Sequence, residues 1–358
     1  MTVPATRAVR LAATALVLLL VPATAQAKTK TVDLGLPTAS GPAFQAVGAD
    51  VNDFFPHTTT IHVGDKVKFR SVGFHTLDIA PKNKGPLPLV APTGKMIAGV
   101  NDANGVAFWF NNQPELNFNP ALGVDNFGKK FTYKNKRIES GLPFAPKPKP
   151  ITVKFKKKGS VTYYCDIHPG MQGRIVVKKK HAKIPTAKQD KKRIKAQVKL
   201  ALKRAKKLPT SSAPPKTVYV GGSAAGGVEY FGMLPATLTV PTGTTVTFAM
   251  SPKSFEAHTA TFGPGNPETE PTSYLGVIAG SFEGAQLDQR GLYPSEMPPA
   301  PGSYTPTLHG NGFWNSGAMD QSAASPLPGS SQVTFNAPGT YDYYCMIHPF
   351  MHGQVIVN

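Results

Sequence analysis

Two stretches of this chain repeat each other at a fixed distance, and that repeat limits the fold more than any other feature. Tyr163-Tyr164-Cys165-Asp166-Ile167-His168-Pro169-Gly170-Met171-Gln172-Gly173, with Arg174-Ile175-Val176-Val177 after it, recurs 180 residues later. The second copy reads Tyr343-Tyr344-Cys345-Met346-Ile347-His348-Pro349-Phe350-Met351-His352-Gly353, then Gln354-Val355-Ile356-Val357. Upstream, Thr60 to Phe69 matches Thr239 to Phe248, and a His-Thr pair follows each, His75-Thr76 and His258-Thr259. Because the order is the same in both halves, the chain is a tandem of two similar domains. Its 358 residues suffice for two cores.

Apolar and polar residues alternate through both copies, with Gly at the turns, as in strands that bury one face. Helical periodicity is nearly absent from them. With 34 Gly and 35 Pro and only 16% charged residues, the composition also favours turn-rich β structure. The fold class is therefore all-β, two sandwiches in series. Their middles do not align: Trp109 and Trp314 lie at different distances from the repeated His, which implies long Pro/Gly/Asn-rich insertions of functional or mobile character.

Four segments follow. Arg7 and Arg10, an apolar run from Leu11 to Val21, and Ala25-Gln26-Ala27 have the order of a secretory signal peptide over residues 1–27. A membrane anchor is the competing reading, but the run falls short of the ~20 apolar residues a spanning helix needs. Export is the expectation, to the cell envelope, the periplasm or the medium. Domain one then covers residues 28–177, a linker 178–216, and domain two 217–358. The two cysteines, in an oxidising compartment, could form a disulfide. Each sits inside its own repeated loop in a separate domain, which argues against approach within the ~7 Å a bridge allows.

Charge is unevenly placed. Of the formal +19, residues 178–207 hold 14 Lys+Arg against one Asp; residues 28–177 hold 20 basic and 10 acidic side chains, and residues 208–358 hold 3 and 9. Ile194, Val198, Ala201, Leu202, Ala205 and Leu208 recur at helical spacing, so Thr186 to Leu208 is expected to be a basic amphipathic helix, ended by the Ser/Pro-rich 209–215. It would serve as a solvated spacer or attach to an anionic membrane surface or cell-wall polymer through residues 178–208. Export argues against nucleic acid. Opposite charge also suggests that the acidic second domain folds back on the basic first domain or linker.

The repeated loop carries the chemistry. A remote His with Cys-x-x-His-x-x-Met supplies two imidazoles, a thiolate and a thioether, the ligand set of a blue-copper site. Taken singly, a Cys in a strand is usually a core residue and a His usually structural. Eight such residues in two matching copies are not. Zinc is a weaker fit, since a thioether suits it poorly.

At these residues the chain resembles the cupredoxins, the plastocyanin, azurin and amicyanin family of Greek-key β-sandwiches, and the loop looks most like amicyanin. The resemblance covers most of residues 40–177 and 217–358. It implies one copper per domain, on His75, Cys165, His168 and Met171 and on His258, Cys345, His348 and Met351. It also implies that the loop His meets redox partner proteins through an apolar surface, here Pro169 in domain one and Pro349 with Phe350 in domain two. Family members often place Asn after the first His; here Thr76 and Thr259 stand there. Two-domain relatives that are nitrite reductases or laccases carry His beside the Cys, whereas Tyr164, Asp166, Tyr344 and Met346 flank these cysteines. An electron carrier or relay rather than an enzyme is the expectation; copper capture and delivery is the alternative, and a copper oxidase or reductase a weaker one.

Overall fold

The computed structural model describes Met1, residues 27–284, 286–322, Ser325 and residues 327–358. The leader expected over residues 1–27 lies, apart from Met1 and Ala27, outside the described residues. No helix among the described residues is long and apolar enough to cross a membrane.

The alternating segments form strands as expected. In Lys66–Ser71, Val67 and Phe69 point into the core while Lys66, Lys68 and Arg70 face water. In Thr244–Met250, Thr244, Val246, Phe248 and Met250 are buried in turn. Around the first copy, one five-stranded sheet runs in the order Phe54–Phe55, Thr29–Leu34, Lys66–Ser71, Ile151–Phe155, Lys130–Tyr133. The facing sheet runs Ile138–Glu139, Asp78–Ile79, Gly159–Tyr164, Gln172–Lys178, Thr58–His62. Between them lies a core that includes Val32, Phe54, Phe69, Ile79, Val153, Tyr163 and Ile175.

The second copy repeats this plan. Its six-stranded sheet contains Gly302–Tyr304, Ser330–Phe335, Thr244–Met250, Thr217–Ala224 and Val228–Leu234. Its partner contains Thr237–Val240, His352–Val357, Gly339–Tyr344, Thr261–Phe262 and Trp314–Asn315. Even the register is shared: Tyr164 pairs with Gln172 and Gly159 with Val177, as Tyr344 pairs with His352 and Gly339 with Val357. The architecture is all-β, with two sandwiches.

The sixth strand of that larger sheet comes from the first half of the chain. Ala49–Val51 pairs antiparallel with Val228–Tyr230, so one sheet is built from both halves. The helix Ala187–Ala205 is capped by Thr186 and Gln189 in a reciprocal capping box and ends three residues before the expected Leu208. A 3₁₀ turn, Leu208–Thr210, brings Leu208 back to the apolar side. Its stripe is not free for a bilayer. Ala201, Ala205 and Leu208 are buried with Leu36, Phe44, Val51 and Phe55 of the first half and Val228 of the second.

The two insertions also find each other. Ile97, Phe108 and Phe110 pack with Leu275, Ile278, Phe313 and Met346. Trp109 donates from Nε1 to the Pro294 carbonyl at 2.9 Å, and the Gln289 amide exchanges two hydrogen bonds with the Leu116 backbone, at 3.0 and 2.9 Å. The halves do fold back on one another, but apolar surface and hydrogen bonds carry that contact more than net charge, which a Debye length of about 8 Å would screen.

Candidate metal centres

Each repeated loop leaves the strand before it, turns at Pro, and re-enters the next strand. Two backbone bonds close it the same way in both copies. Cys165 N–H donates to the Met171 carbonyl and Met171 N–H to that of His168, both at 3.0 Å. Cys345 N–H donates to Met351 at 3.0 Å and Met351 N–H to His348 at 2.8 Å. The first His arrives from the neighbouring strand region and is followed by Thr76 in one copy and Thr259 in the other. The Thr76 hydroxyl accepts from Asp166 N–H at 2.8 Å, and Thr259 accepts from Met346 N–H at 2.8 Å. Thr76 N–H and Thr259 N–H each point at the cysteine sulfur, at 3.4 Å. A threonine therefore ties the two segments together.

These ties bring the expected side chains to a point. In domain one His75 Nδ1 lies 3.0 Å from His168 Nδ1, with Cys165 Sγ 3.9 and 3.5 Å from them. In domain two His258 Nδ1 lies 3.1 Å from His348 Nδ1, with Cys345 Sγ 3.7 and 3.9 Å away. Metal bonds of about 2.0 Å to nitrogen and 2.3 Å to sulfur in a trigonal plane need edges of about 3.5 and 3.7 Å, so both triangles fit one small ion with little movement. Met171 and Met351 are buried in the same loops.

Electrostatics agrees with that fit. Burial pushes all four imidazoles down, His168 to about 3, so each keeps a bare lone pair at neutral pH. Burial pushes the Cys165 thiol up to about 12 and Cys345 to about 11. Only a cation would make these thiolates, and its binding would release their protons. No disulfide joins the cysteines; both are free and buried.

Two glycines let the backbone reach the first His. Gly35 has φ +105, and a Cβ there would stand 2.6 Å from the His75 ring; Gly221 has φ +85, and its Cβ would stand 2.7 Å from His258 Nε2. They hold equivalent places in the two domains. Sequence reasoning missed them, because a Gly inside or just after a strand has many causes.

No protein-family model matches the chain. Amicyanin-alpha of Methylorubrum extorquens is 46% identical over 58 residues, 15% of this chain and 49% of that protein. Amicyanin of Paracoccus versutus is 64% identical over 26 residues, 7% of this chain and 20% of that protein. The chain thus spans about half of the first relative's length and a fifth of the second's.

Over these stretches the chain is similar to the amicyanins, and so to the cupredoxins. Among solved structures, a Cu(I) form of an amicyanin mutant is similar at 20% identity over 41% of this chain and 86% of that one, with TM-score 0.22. Oxidised plastocyanin from Dryopteris crassirhizoma is similar at 21% over 40% and 99%, with TM-score 0.21.

Relative to the cupredoxin expectation, one feature differs in domain one. His168 is buried, facing the second domain, and Gly170 lies against the Phe255 ring. The surface expected around Pro169 is therefore covered on its histidine side. In domain two Phe350 is half exposed beside Phe231 and His348, and Pro349 is partly buried. A third cluster was not foreseen. Asp78, Glu139 and Asp166 bring three buried carboxylates together beside Cys165, with Arg137 paired to Asp78. Burial, then the neighbouring carboxylates, raises Asp78 to about 7 and Glu139 to about 9.

Proposed function

We propose that this chain is an exported one-electron carrier that holds one type 1 copper in each domain. The observation that supports it best is the closed His2Cys triangle, formed twice in the same register with a methionine in the same loop. His75, Cys165, His168 and Met171 would hold one ion, and His258, Cys345, His348 and Met351 the other. Copper bound there supplies a Cu(I)/Cu(II) couple. The protein supplies rigidity: strand ends and loop bonds fix the donors, buried walls exclude water, and neutral imidazoles need no deprotonation before binding.

Delivery of copper to an acceptor is opposed by the same burial, since release would need the loops to open. Partner redox proteins would meet the exposed Phe350 and Pro349. The outward basic face of the linker helix is free for an anionic membrane surface or cell-wall polymer, by charge alone because its apolar stripe is covered. The chain is read as a carrier rather than an enzyme, and its neighbours along the electron path would be other proteins. The test is repeated redox cycling of the copper-loaded protein beside a Cu(I) chelator. A carrier bleaches and recovers its visible band without losing copper; copper passing to the chelator at each reduction contradicts the proposal.

A further inference from the structure

Each loop histidine turns Nδ1 towards its own cysteine and leaves Nε2 directed at the domain boundary, which only His168 reaches across. Both Nε2 atoms meet the same carboxylate. His168 Nε2 lies 3.4 Å from Glu256 Oε1, and His348 Nε2 lies 3.8 Å from Glu256 Oε2. Glu256 is 5% exposed and belongs to the second domain, yet the first domain holds it too, through Asn52 Nδ2 donating to Oε1 at 2.6 Å. The segment before it is anchored on buried Glu229, which accepts from Phe255 N–H at 2.6 Å and from the Ser254 hydroxyl at 3.1 Å.

Adhesion alone does not explain this arrangement. A carboxylate taken out of water costs several kcal/mol unless charged or hydrogen-bonding groups surround it, and apolar side chains would join two domains more cheaply. An imidazole whose Nδ1 faces a metal carries its proton on Nε2, and a carboxylate that accepts this proton fixes the ring. Here one carboxyl group faces two such rings, nearer to His168 than to His348. His258 Nε2, by contrast, is buried with no hydrogen-bond partner, so the bridge is specific to the loop histidines.

We propose that His168, Glu256 and His348 form an internal electron path, so that an electron received at one centre passes to the other inside the molecule. This rests on the one-electron copper reading above. In the step one centre goes from Cu(I) to Cu(II) and the other from Cu(II) to Cu(I); no bond forms or breaks, and each Nε2 proton stays on its nitrogen. Glu256 is a positioning residue: its carboxyl group stands between the two rings, 3.4 Å from His168 Nε2 and 3.8 Å from His348 Nε2, and puts a polar contact where the loops would otherwise face a gap.

The experiment uses the full-length chain with copper in both sites and a flash-generated one-electron reductant, below one equivalent. Cys165→Ala and Cys345→Ala supply the spectrum of each centre alone. The expected result is a redistribution phase whose rate does not depend on protein concentration. Glu256→Gln, in which one end of the side chain becomes a donor facing a donor, slows it at least tenfold, while each centre alone still shows its thiolate-to-copper band. In the metal-free chain, ring 15N resonances should show the Nε2–H tautomer at both His168 and His348, lost in Glu256→Ala. No redistribution with both centres loaded, the same rate in Glu256→Gln and Asn52→Ala as in wild type, or Nδ1–H tautomers at both rings overturns the path. A missing thiolate-to-copper band is a different result and overturns the copper reading instead.

Discussion

The ring of Phe255, from the second domain, occupies the space that a side chain at Gly170 would need: a Cβ there would stand 2.7 Å from two ring carbons. Gly170 also has φ +104. The position that holds Phe350 in the second copy is thus filled in the first copy from across the interface. Gly170→Ala should cost about 2 kcal/mol through left-handed strain and overpacking. In combination with Phe255→Ala, the loss should fall short of the sum of the single losses by about 1 kcal/mol. Urea unfolding of the four proteins measures this; simple additivity would show that the two positions do not touch.

Gly35→Ala and Gly221→Ala should each damage one site only. Beyond the about 1–2 kcal/mol of left-handed strain, the new methyl meets the Val72 carbonyl and the His75 ring in one case and the His258 ring in the other. Copper uptake should drop at the affected domain and stay intact at the other, as read by titration in a background lacking the opposite cysteine.

The carboxylate cluster gives the metal-free protein a pH dependence. Glu139 is raised from its ordinary 4.5 to about 9 and Asp78 from 3.8 to about 7, first by burial and then by their carboxylate neighbours. A raised acid binds its proton more tightly folded than unfolded. Its stabilisation is complete below the unfolded value and is lost as pH rises through the folded one. The four buried imidazoles act in the opposite sense only below the ordinary histidine value of 6.5, so urea stability should fall between pH 7 and pH 9. Glu139→Gln should flatten that fall and gain at least about 1.4 kcal/mol at pH 8, the worth of one pKa unit. A stability that rises over this range contradicts the assignment.

The linker helix separates packing from charge. Ala201→Asp places a carboxylate in the buried stripe and should cost about 3 kcal/mol. Changing the exposed Lys188, Lys191, Lys192, Lys195 and Lys199 to Gln should alter stability by no more than ~0.5 kcal/mol per site. Those changes should abolish any salt-sensitive binding to vesicles of anionic lipid. Binding that persists removes the anionic-surface proposal.

What was legible in the sequence was local or repeated. His168 and Met171 follow Cys165 at short spacing on one loop, and a second copy turns a coincidence into a pattern; alternation of apolar and polar residues in both copies exposed the strands. The helix was legible because Ile194, Val198, Ala201 and Ala205 keep one period. Glu256 was not, because its role depends on Asn52, 204 residues away, and on a boundary that no periodicity records. Ala49–Val51 crosses into the other domain's sheet, and three residues are too few to announce a partner. The insertions were visible as insertions, but that Phe108 and Phe110 pack on Phe313 follows only from the fold.

The most direct test of two separate copper centres is Cu(II) titration of the chain from Lys28 onward, followed through the visible thiolate-to-copper band. The account predicts two equivalents at saturation, with Cys165→Ala and Cys345→Ala each losing about half the band and binding one equivalent fewer. No band in the wild type, or a band that either substitution abolishes entirely, would contradict it.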